Sequence, residues 1–173
     1  GQPELIMAVN LSARQFQRGV VLKQVEAALE VSGIAPDRLE LELTESALMH
    51  DGDAVTAVLR RLQALGVKLS IDDFGTGYSS FAYLRRIKFD KIKIDQSFVR
   101  DLIDDPDNAA IVRGIISLAL SLVLSVLAEG VETEDIAQRL RHLQCTYAQG
   151  YYFARPLRPE VFALQQGMVA VPA

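Results

Sequence analysis

The sequence has few of the residues on which several classes of protein depend. A single cysteine excludes a disulfide within the chain, and because Cys145 lies in an apolar segment we expect a buried core residue rather than a nucleophile. The two histidines, His50 and His142, have no partner at the spacing of a zinc site. Acidic residues outnumber basic ones by 22 to 18, and the net charge of −4 argues against broad electrostatic binding to a DNA or RNA polymer or to an anionic membrane.

Long hydrophobic runs are also missing. The most apolar segment, from Gly114 to Ala128, has about 15 residues, fewer than the roughly 20 that a membrane-spanning helix needs. It divides better into a helix over about 109–122 and a strand from Leu124 to Ala128. We therefore expect no membrane contact by this domain.

Strand-like and helix-like patterns make up the rest of the chain. Its 173 residues are half apolar and 23% charged, as expected of one globular domain with its own core. The two patterns alternate six times, which is typical of a parallel sheet covered by helices. Ser12 to Val31 is predicted to be one helix, and Asp105 and Thr133 are predicted to begin two others. The predicted strands are Ile6 to Leu11, Leu39 to Leu43, Val67 to Ile71, Lys91 to Ile94, Leu124 to Ala128 and Tyr147 to Phe153.

Two adjacent carboxylates, Asp72 and Asp73, follow the third predicted strand, and Gly75 and Gly77 mark a turn after them. Like charges repel each other, so a fold that holds two acids at a strand end usually supplies cations there. A solvated turn is the alternative, because Asp and Gly are common turn residues.

Polar residues recur on one face of the predicted strands, close to their C-terminal ends. Side chains alternate between the two faces of a strand, and the apolar neighbours of these residues take the opposite face. A sheet covered by helices on both sides would need two apolar faces. A polar face at the strand ends therefore favours the mouth of a (β/α)₈ barrel. The six polar residues are Asn10, Glu42, Asp72, Lys93, Glu129 and Gln149.

The length of the chain accounts for part of such a barrel. A complete (β/α)₈ barrel has about 250 residues, and this chain has 173, enough for about six of the eight strand units. We expect residues 1–173 to form one partial domain that lacks the first two strands and the first helix.

The chemistry of these residues points to divalent cations. Carboxylate and amide oxygens, without His or Cys, favour Mg²⁺ or Mn²⁺ over zinc. Four acids exceed what one Mg²⁺ usually takes from a protein, so we expect two ions, an arrangement that suits phosphoester hydrolysis. Lys93 would hold the attacking water or neutralise phosphate charge, or it would be a structural counter-ion to the acids.

The motifs together resemble those of the EAL-domain cyclic di-GMP phosphodiesterases, in order and over nearly the whole chain. The resemblance implies an α/β fold, a modified (β/α)₈ TIM barrel of the EAL type, and metal-dependent hydrolysis of cyclic di-GMP to linear pGpG in bacterial signalling. The matching segments are Asn10-Leu-Ser12, Glu42-Leu-Thr-Glu45, Asp72-Asp-Phe-Gly-Thr-Gly-Tyr-Ser-Ser80, Lys91-Ile-Lys-Ile-Asp95, Ala128-Glu-Gly-Val-Glu-Thr133 and Gln149-Gly-Tyr-Tyr-Phe-Ala-Arg-Pro156.

The resemblance also implies a role for each matching residue. Lys93, Glu129 and Asp73 are the expected catalytic residues, and Gln149 and Ser12 are expected to contact substrate. Thr44 and Glu45 would support the loop from Asp72 to Ser80. Glu132 would lie next to the metal ligands without binding metal itself. For Glu45 and Glu132 an exposed charge at a helix start is the alternative. The expected metal ligands are Asn10, Glu42, Asp72, Asp73 and Glu129.

One departure keeps a second function open. The Glu-Ala-Leu tripeptide that names the family, whose glutamate is a metal ligand, is absent from these residues, as is the arginine near it that grips substrate. A catalytically silent domain that binds cyclic di-GMP or a protein partner is therefore the alternative to the enzyme. The resemblance further implies a homodimer and linkage to sensor or GGDEF domains. It also implies a cytoplasmic location, either as a cytoplasmic protein or as the cytoplasmic domain of a membrane-anchored protein.

Overall fold

The computed structural model describes residues 5–17, 20–49, 52–77 and 82–165. Six strands form one sheet in which every neighbouring pair is parallel and the spatial order follows the chain. This is the arrangement predicted from the alternation of strands and helices. The strands are β1 (Met7–Leu11), β2 (Leu39–Thr44), β3 (Lys68–Phe74), β4 (Lys91–Ile94), β5 (Ser125–Ala128) and β6 (Tyr147–Ala148).

Helices lie in every connection between these strands. Two of the predicted caps are present: the Asp105 side chain accepts hydrogen bonds from the backbone N–H groups of Asp107 and Asn108, and Thr133 accepts one from Ile136. The helices are α1 (Ala13–Gln17), α2 (Val21–Ser32), α3 (Glu45–Met49), α4 (Gly52–Ala64), α5 (Ala82–Arg86), α6 (Gln96–Arg100), α7 (Pro106–Ser121), α8 (Glu134–His142) and α9 (Pro159–Gln165).

Several sequence predictions need correction. The region predicted as one helix from Ser12 to Val31 contains two, α1 and α2. The last strand, predicted from Tyr147 to Phe153, ends at Ala148, because the backbone N–H of Tyr152 turns back to the carbonyl of Val131. The short helices α3 and α6 were not predicted. The sequence also predicts a cap at Ser79 or Ser80 before α5 and one at Asp51 or Asp53 before α4. Of these, Ser79, Ser80 and Asp51 lie outside the described residues.

The two faces of the sheet differ in chemistry. Leucine, isoleucine and valine on the outer face are almost fully buried under the helices, including Leu41, Leu69, Ile92 and Val126. The inner face carries Glu40 and Glu42 on β2 and Lys91 and Lys93 on β4, and these alternate with the apolar residues. The predicted polar inner face is therefore present.

The apolar run from Gly114 to Ala128 divides between α7 and β5, as predicted. Within the described ranges, none of the helices combines the length and the apolar character that crossing a bilayer requires.

Candidate metal centre

A buried lysine and three carboxylates form the centre of the candidate site. Lys93 projects from β4 to the inner face and is 5% exposed. Its Nζ lies 2.8 Å from Glu42 Oε2, 2.9 Å from Asp72 Oδ1 and 2.8 Å from Glu129 Oε1. These acids come from β2, from β3 and from the residue that follows β5. These ion pairs fit both interpretations of Lys93, as a counter-ion to the acids and as the cation that orients water or offsets phosphate charge.

A bulge in β3 brings the two adjacent aspartates to the same site. Ile71 pairs with Ile92 and Phe74 with Ile94, so β3 contains one residue more than β4 over this interval. Asp73 takes a left-handed backbone conformation, with φ of 53°, which Asp tolerates better than most residues. Consecutive residues of a regular strand point to opposite faces, and the bulge removes that restriction. The interpretation of this segment as a solvated turn is wrong.

The carboxylates of Asp72, Asp73 and Glu129 converge. One oxygen atom from each lies within 4.8 Å of the other two. Asp72 Oδ1 is buried, and it is held by the ion pair with Lys93 at 2.9 Å rather than by a regular hydrogen bond. A buried carboxylate oxygen with spare acceptor capacity, inside an all-oxygen donor set, fits a hard divalent cation. The residues present therefore suit the metal that the family resemblance implies.

The pKa values in this cluster are shifted by burial and by like charge. Burial raises the pKa of Asp73, and the neighbouring carboxylates of Asp72 and Asp95 raise it further. Burial also raises the pKa of Glu129, against the opposing effect of Lys93. Burial alone would lower the pKa of Lys93, but its close contacts with the carboxylates of Glu129, Glu42 and Asp72 outweigh burial and leave that pKa above its ordinary value.

Two amide residues border the acids. Gln149 directly follows β6. Its Nε2 donates a hydrogen bond of 3.0 Å to Glu129 Oε1, and its backbone N–H donates to the carbonyl of Ala128. Asn10 lies on β1 directly beside Glu42 of β2, on the same face of the sheet. The structure therefore brings Gln149 into contact with the acids and places Asn10 next to them.

The other predicted residues lie around this centre. Ser12 directly follows β1, and its backbone N–H and hydroxyl both lie within hydrogen-bond distance of Gln15 Oε1, 2.9 and 3.0 Å away, at the start of α1. Thr44 pairs with Asp72 in the sheet, and its Oγ1 lies 3.2 Å from Ser46 Oγ.

Glu45 and Glu132 differ sharply in burial. Glu45 is 2% exposed, and its Oε2 accepts a 3.4 Å hydrogen bond from the backbone N–H of Gly75. A Cβ added at Gly77 would come within 3.2 Å of the same carboxylate. The interpretation of Glu45 as an exposed charge is therefore wrong. The Glu132 side chain is 47% exposed and lies 3.6 Å from Arg100, which fits that interpretation.

Sequence reasoning missed Asp95, which begins α6 and accepts hydrogen bonds from the backbone N–H and the hydroxyl of Ser97. Burial works to raise its pKa, but these hydrogen bonds lower it overall. Asp95 is two residues beyond Lys93, and that period-two spacing is the signal that would have placed it near the inner face.

A cavity of about 630 Å³ opens beside Glu129 and Gln149. Its wall includes Arg100, Glu132 and Tyr151, and the guanidinium of Arg155 stacks 4.3 Å from the centre of the Tyr151 ring. The cavity thus joins the acids to a surface that offers positive charge and an aromatic face.

Comparisons with known proteins agree with this geometry. The chain is 48% identical over 157 residues to the cyclic di-GMP phosphodiesterase NbdA of Pseudomonas aeruginosa, covering 91% of this chain and 20% of NbdA. It is 45% identical over 160 residues to the bifunctional diguanylate cyclase/cyclic di-GMP phosphodiesterase MucR of the same organism, covering 92% of this chain and 23% of MucR. The chain thus spans about a fifth of the length of these curated relatives.

A solved structure and a family model extend the comparison. The structure of the PaMucR phosphodiesterase in complex with c-di-GMP superposes with a TM-score of 0.90 at 44% identity, covering 94% of this chain and 66% of that one. The fold prediction, an α/β barrel of the EAL type, is confirmed by this likeness. The model of the EAL domain matches residues 1–156. The chain belongs to the EAL domain family.

Proposed function

We propose that this domain is a metal-dependent phosphodiesterase that hydrolyses cyclic di-GMP to linear pGpG. The observation that carries the proposal is the convergence of carboxylates from β2, β3 and the end of β5 on Lys93, with the adjacent Asp73 turned to the same place by the bulge. The similar proteins NbdA and MucR are cyclic di-GMP phosphodiesterases by name.

Each residue of the site has a proposed task. Asn10, Glu42, Asp72, Asp73 and Glu129 would hold two ions, Mg²⁺ or Mn²⁺. Bound there, the ions supply Lewis acidity toward water and the phosphodiester.

The remaining residues would contact the attacking water and the nucleotide. Lys93 would orient the attacking water and offset charge on the phosphate, since its protonated amine already lies among the acids. Gln149 and Ser12 would contact the nucleotide, and the adjoining cavity supplies arginine and aromatic side chains for phosphate and base. Thr44 and Glu45 would hold the loop after β3, and Glu132 would stand behind the site.

A catalytically silent domain that binds cyclic di-GMP or a protein partner remains the second candidate, and one assay separates the two. We expect hydrolysis of cyclic di-GMP that needs Mg²⁺ or Mn²⁺ and falls at least about a hundredfold in Glu129→Gln and in Asp72→Asn. Asp37→Asn, on a side chain that is 65% exposed, is the matched control and should leave the rate unchanged. Nucleotide binding without turnover in the wild-type protein would select the silent domain.

The assembly proposed with this function is a homodimer linked to sensor or GGDEF domains in the cytoplasm. The extent of the domain within residues 1–173 stays a prediction.

A further inference from the structure

A second ion pair lies one layer below the candidate site. Lys91 Nζ lies 2.9 Å from Glu40 Oε1 and 2.7 Å from Glu40 Oε2, so the carboxylate is gripped through both oxygens. The pair is nearly dry, with side-chain exposures of 15% for Lys91 and 3% for Glu40. The ring of Tyr147 lies 5.5 Å from the same Nζ. The mechanism proposed above uses none of these residues.

The two ion pairs repeat one geometry. Each joins a glutamate of β2 to a lysine of β4 across β3, and in each the two residues are 51 positions apart in the chain. The registers place Lys91 level with Ser70 and Glu42, so its partner Glu40 is one layer nearer the N-terminal ends of the strands.

Glu42 is within reach of Lys91. The strands of a sheet are about 4.8 Å apart, so the direct distance from β4 to β2 is roughly 10 Å. The Lys93 side chain already bridges the same two strands along a longer diagonal to reach Glu42. Without the Glu40 carboxylate, Lys91 would be a largely desolvated cation without its present partner, and Glu42 is an anion level with it in the register.

The charges of the two layers show what a shift of Lys91 toward Glu42 would change. The lower layer adds no net negative charge, because Glu40 is offset by Lys91 and has Lys68 of β3 beside it in the register. In the upper layer Glu42, Asp72 and Glu129 face one lysine and carry a net charge of −2 by this count. A second lysine entering the upper layer would cancel part of the charge that attracts a divalent cation.

We propose that Glu40 is a positioning residue that holds Lys91 away from Glu42 and so preserves the affinity of the acids for divalent cations. The inference rests on the proposed function only in taking these acids as cation ligands. It assigns Glu40 no contact with substrate or metal. Its role is exerted entirely through Lys91.

A double-mutant cycle tests this assignment through binding of Mn²⁺ alone, measured by calorimetry on the whole protein without nucleotide. Glu40→Gln, which keeps the shape of the side chain and removes its charge, should weaken Mn²⁺ binding about tenfold, as losses behind a metal site commonly do. Lys91→Met should bind within about threefold of wild type, and Glu40→Gln combined with Lys91→Met should recover the same affinity. Glu30→Gln, on an exposed position of α2, is the matched control.

Each outcome decides the inference. Unchanged Mn²⁺ affinity in Glu40→Gln would overturn it, and so would a double mutant as weak as Glu40→Gln. Thermal melting of each variant separates these results from loss of the fold, and Glu40→Met, which also removes the charge, replaces Glu40→Gln if the latter does not fold. Normal Mn²⁺ binding without hydrolysis of cyclic di-GMP would overturn the proposed function alone, and a wild-type protein that binds no Mn²⁺ would overturn both.

Discussion

Lys93 Nζ lies 2.8 Å from Glu129 Oε1, and this contact joins β4 to the residue directly after β5 at the centre of the site. Glu129 Oε1 also accepts the hydrogen bond from Gln149, so one oxygen connects residues at the ends of three consecutive strands. The same charged contacts thus hold these strand ends together and form the site. The stability of the protein should therefore depend on which cations lie among these acids.

Replacing Lys93 by methionine should therefore destabilise the protein without metal. The change leaves three largely buried carboxylates with no cation, and breaking a buried ion pair costs about 3–5 kcal/mol. Mn²⁺ should return more stability to Lys93→Met than to the wild type, because it supplies the missing positive charge. Urea unfolding with chelator and with Mn²⁺ measures both effects.

Lys88→Met, at an exposed position just before β4, is the matched control and should change the unfolding free energy little. Equal gains from Mn²⁺ in the wild type and in Lys93→Met would contradict the explanation.

The end of α7 contains backbone strain that a glycine would relieve. Val123 has φ of 59° and is 92% exposed. The backbone N–H of Leu124 reaches the carbonyl of Ala119, and that of Val123 reaches Leu120, the pattern of a helix end that usually carries glycine. A left-handed conformation costs a residue with a side chain about 1–2 kcal/mol, and glycine avoids this cost. Glycine is also more flexible in the unfolded chain, which offsets about 0.5–1 kcal/mol of the stability gained by the substitution.

We expect Val123→Gly to raise the free energy of unfolding by about 0.5–1 kcal/mol. Val31→Gly is the control, because Val31 is 89% exposed and lies in α2, where glycine should lower stability slightly. Chemical denaturation of both variants gives the comparison, and a loss of stability in Val123→Gly would show that the strain is absent.

The sequence predicted β1 to β5 within a few residues because polar and apolar side chains alternate along them. It also predicted which acids would converge, since parallel strands bring their C-terminal ends to one edge. It could not predict the bulge at Asp73, because the extra residue is defined only by the pairing of β3 with β4. Glu40 and Lys91 show the same alternation, in Glu40-Leu-Glu42 and Lys91-Ile-Lys93. That they pair with each other follows only from the register of the strands.

The end of the sheet shows where pattern alone fails. Tyr147 to Phe153 is rich in residues that favour strands, yet the pairing stops after Ala148. Gly150 packs against the backbone of Val131, and this long-range contact turns the chain away from the sheet.

Cys145 should react slowly with thiol reagents. Burial raises the pKa of its thiol to about 11, and its Sγ lies 3.2 Å from the carbonyl of Tyr147. Only the thiolate is nucleophilic, so at about pH 8 roughly one molecule in a thousand is reactive. We expect alkylation by iodoacetamide to be far slower in the folded protein than in urea, and its rate to rise about tenfold for each pH unit toward pH 11. The structure places Cys145 half-buried against the edge of the core, and not fully within it as the sequence predicts. Fast alkylation near neutral pH would contradict the raised pKa.

Gly150→Ala should disturb the site through packing alone. A Cβ at Gly150 would lie 2.2 Å from the carbonyl oxygen and 2.3 Å from the backbone nitrogen of Val131. Backbone atoms cannot move aside as a flexible side chain does, so the segment that begins with Gln149 must shift. We expect a loss of about 1–3 kcal/mol of stability, together with slower hydrolysis of cyclic di-GMP because Gln149 would leave Glu129.

Gly114→Ala is the matched control for this change. Gly114 lies within α7 with no atom close to its added Cβ, so alanine there should raise the free energy of unfolding by about 0.5–1 kcal/mol and leave turnover unchanged. Urea unfolding and the hydrolysis assay on both variants distinguish the close backbone approach at Gly150 from a general effect of alanine. If both alanine variants gained stability, the approach of Gly150 to Val131 would not constrain the site, and the early end of β6 would need another cause.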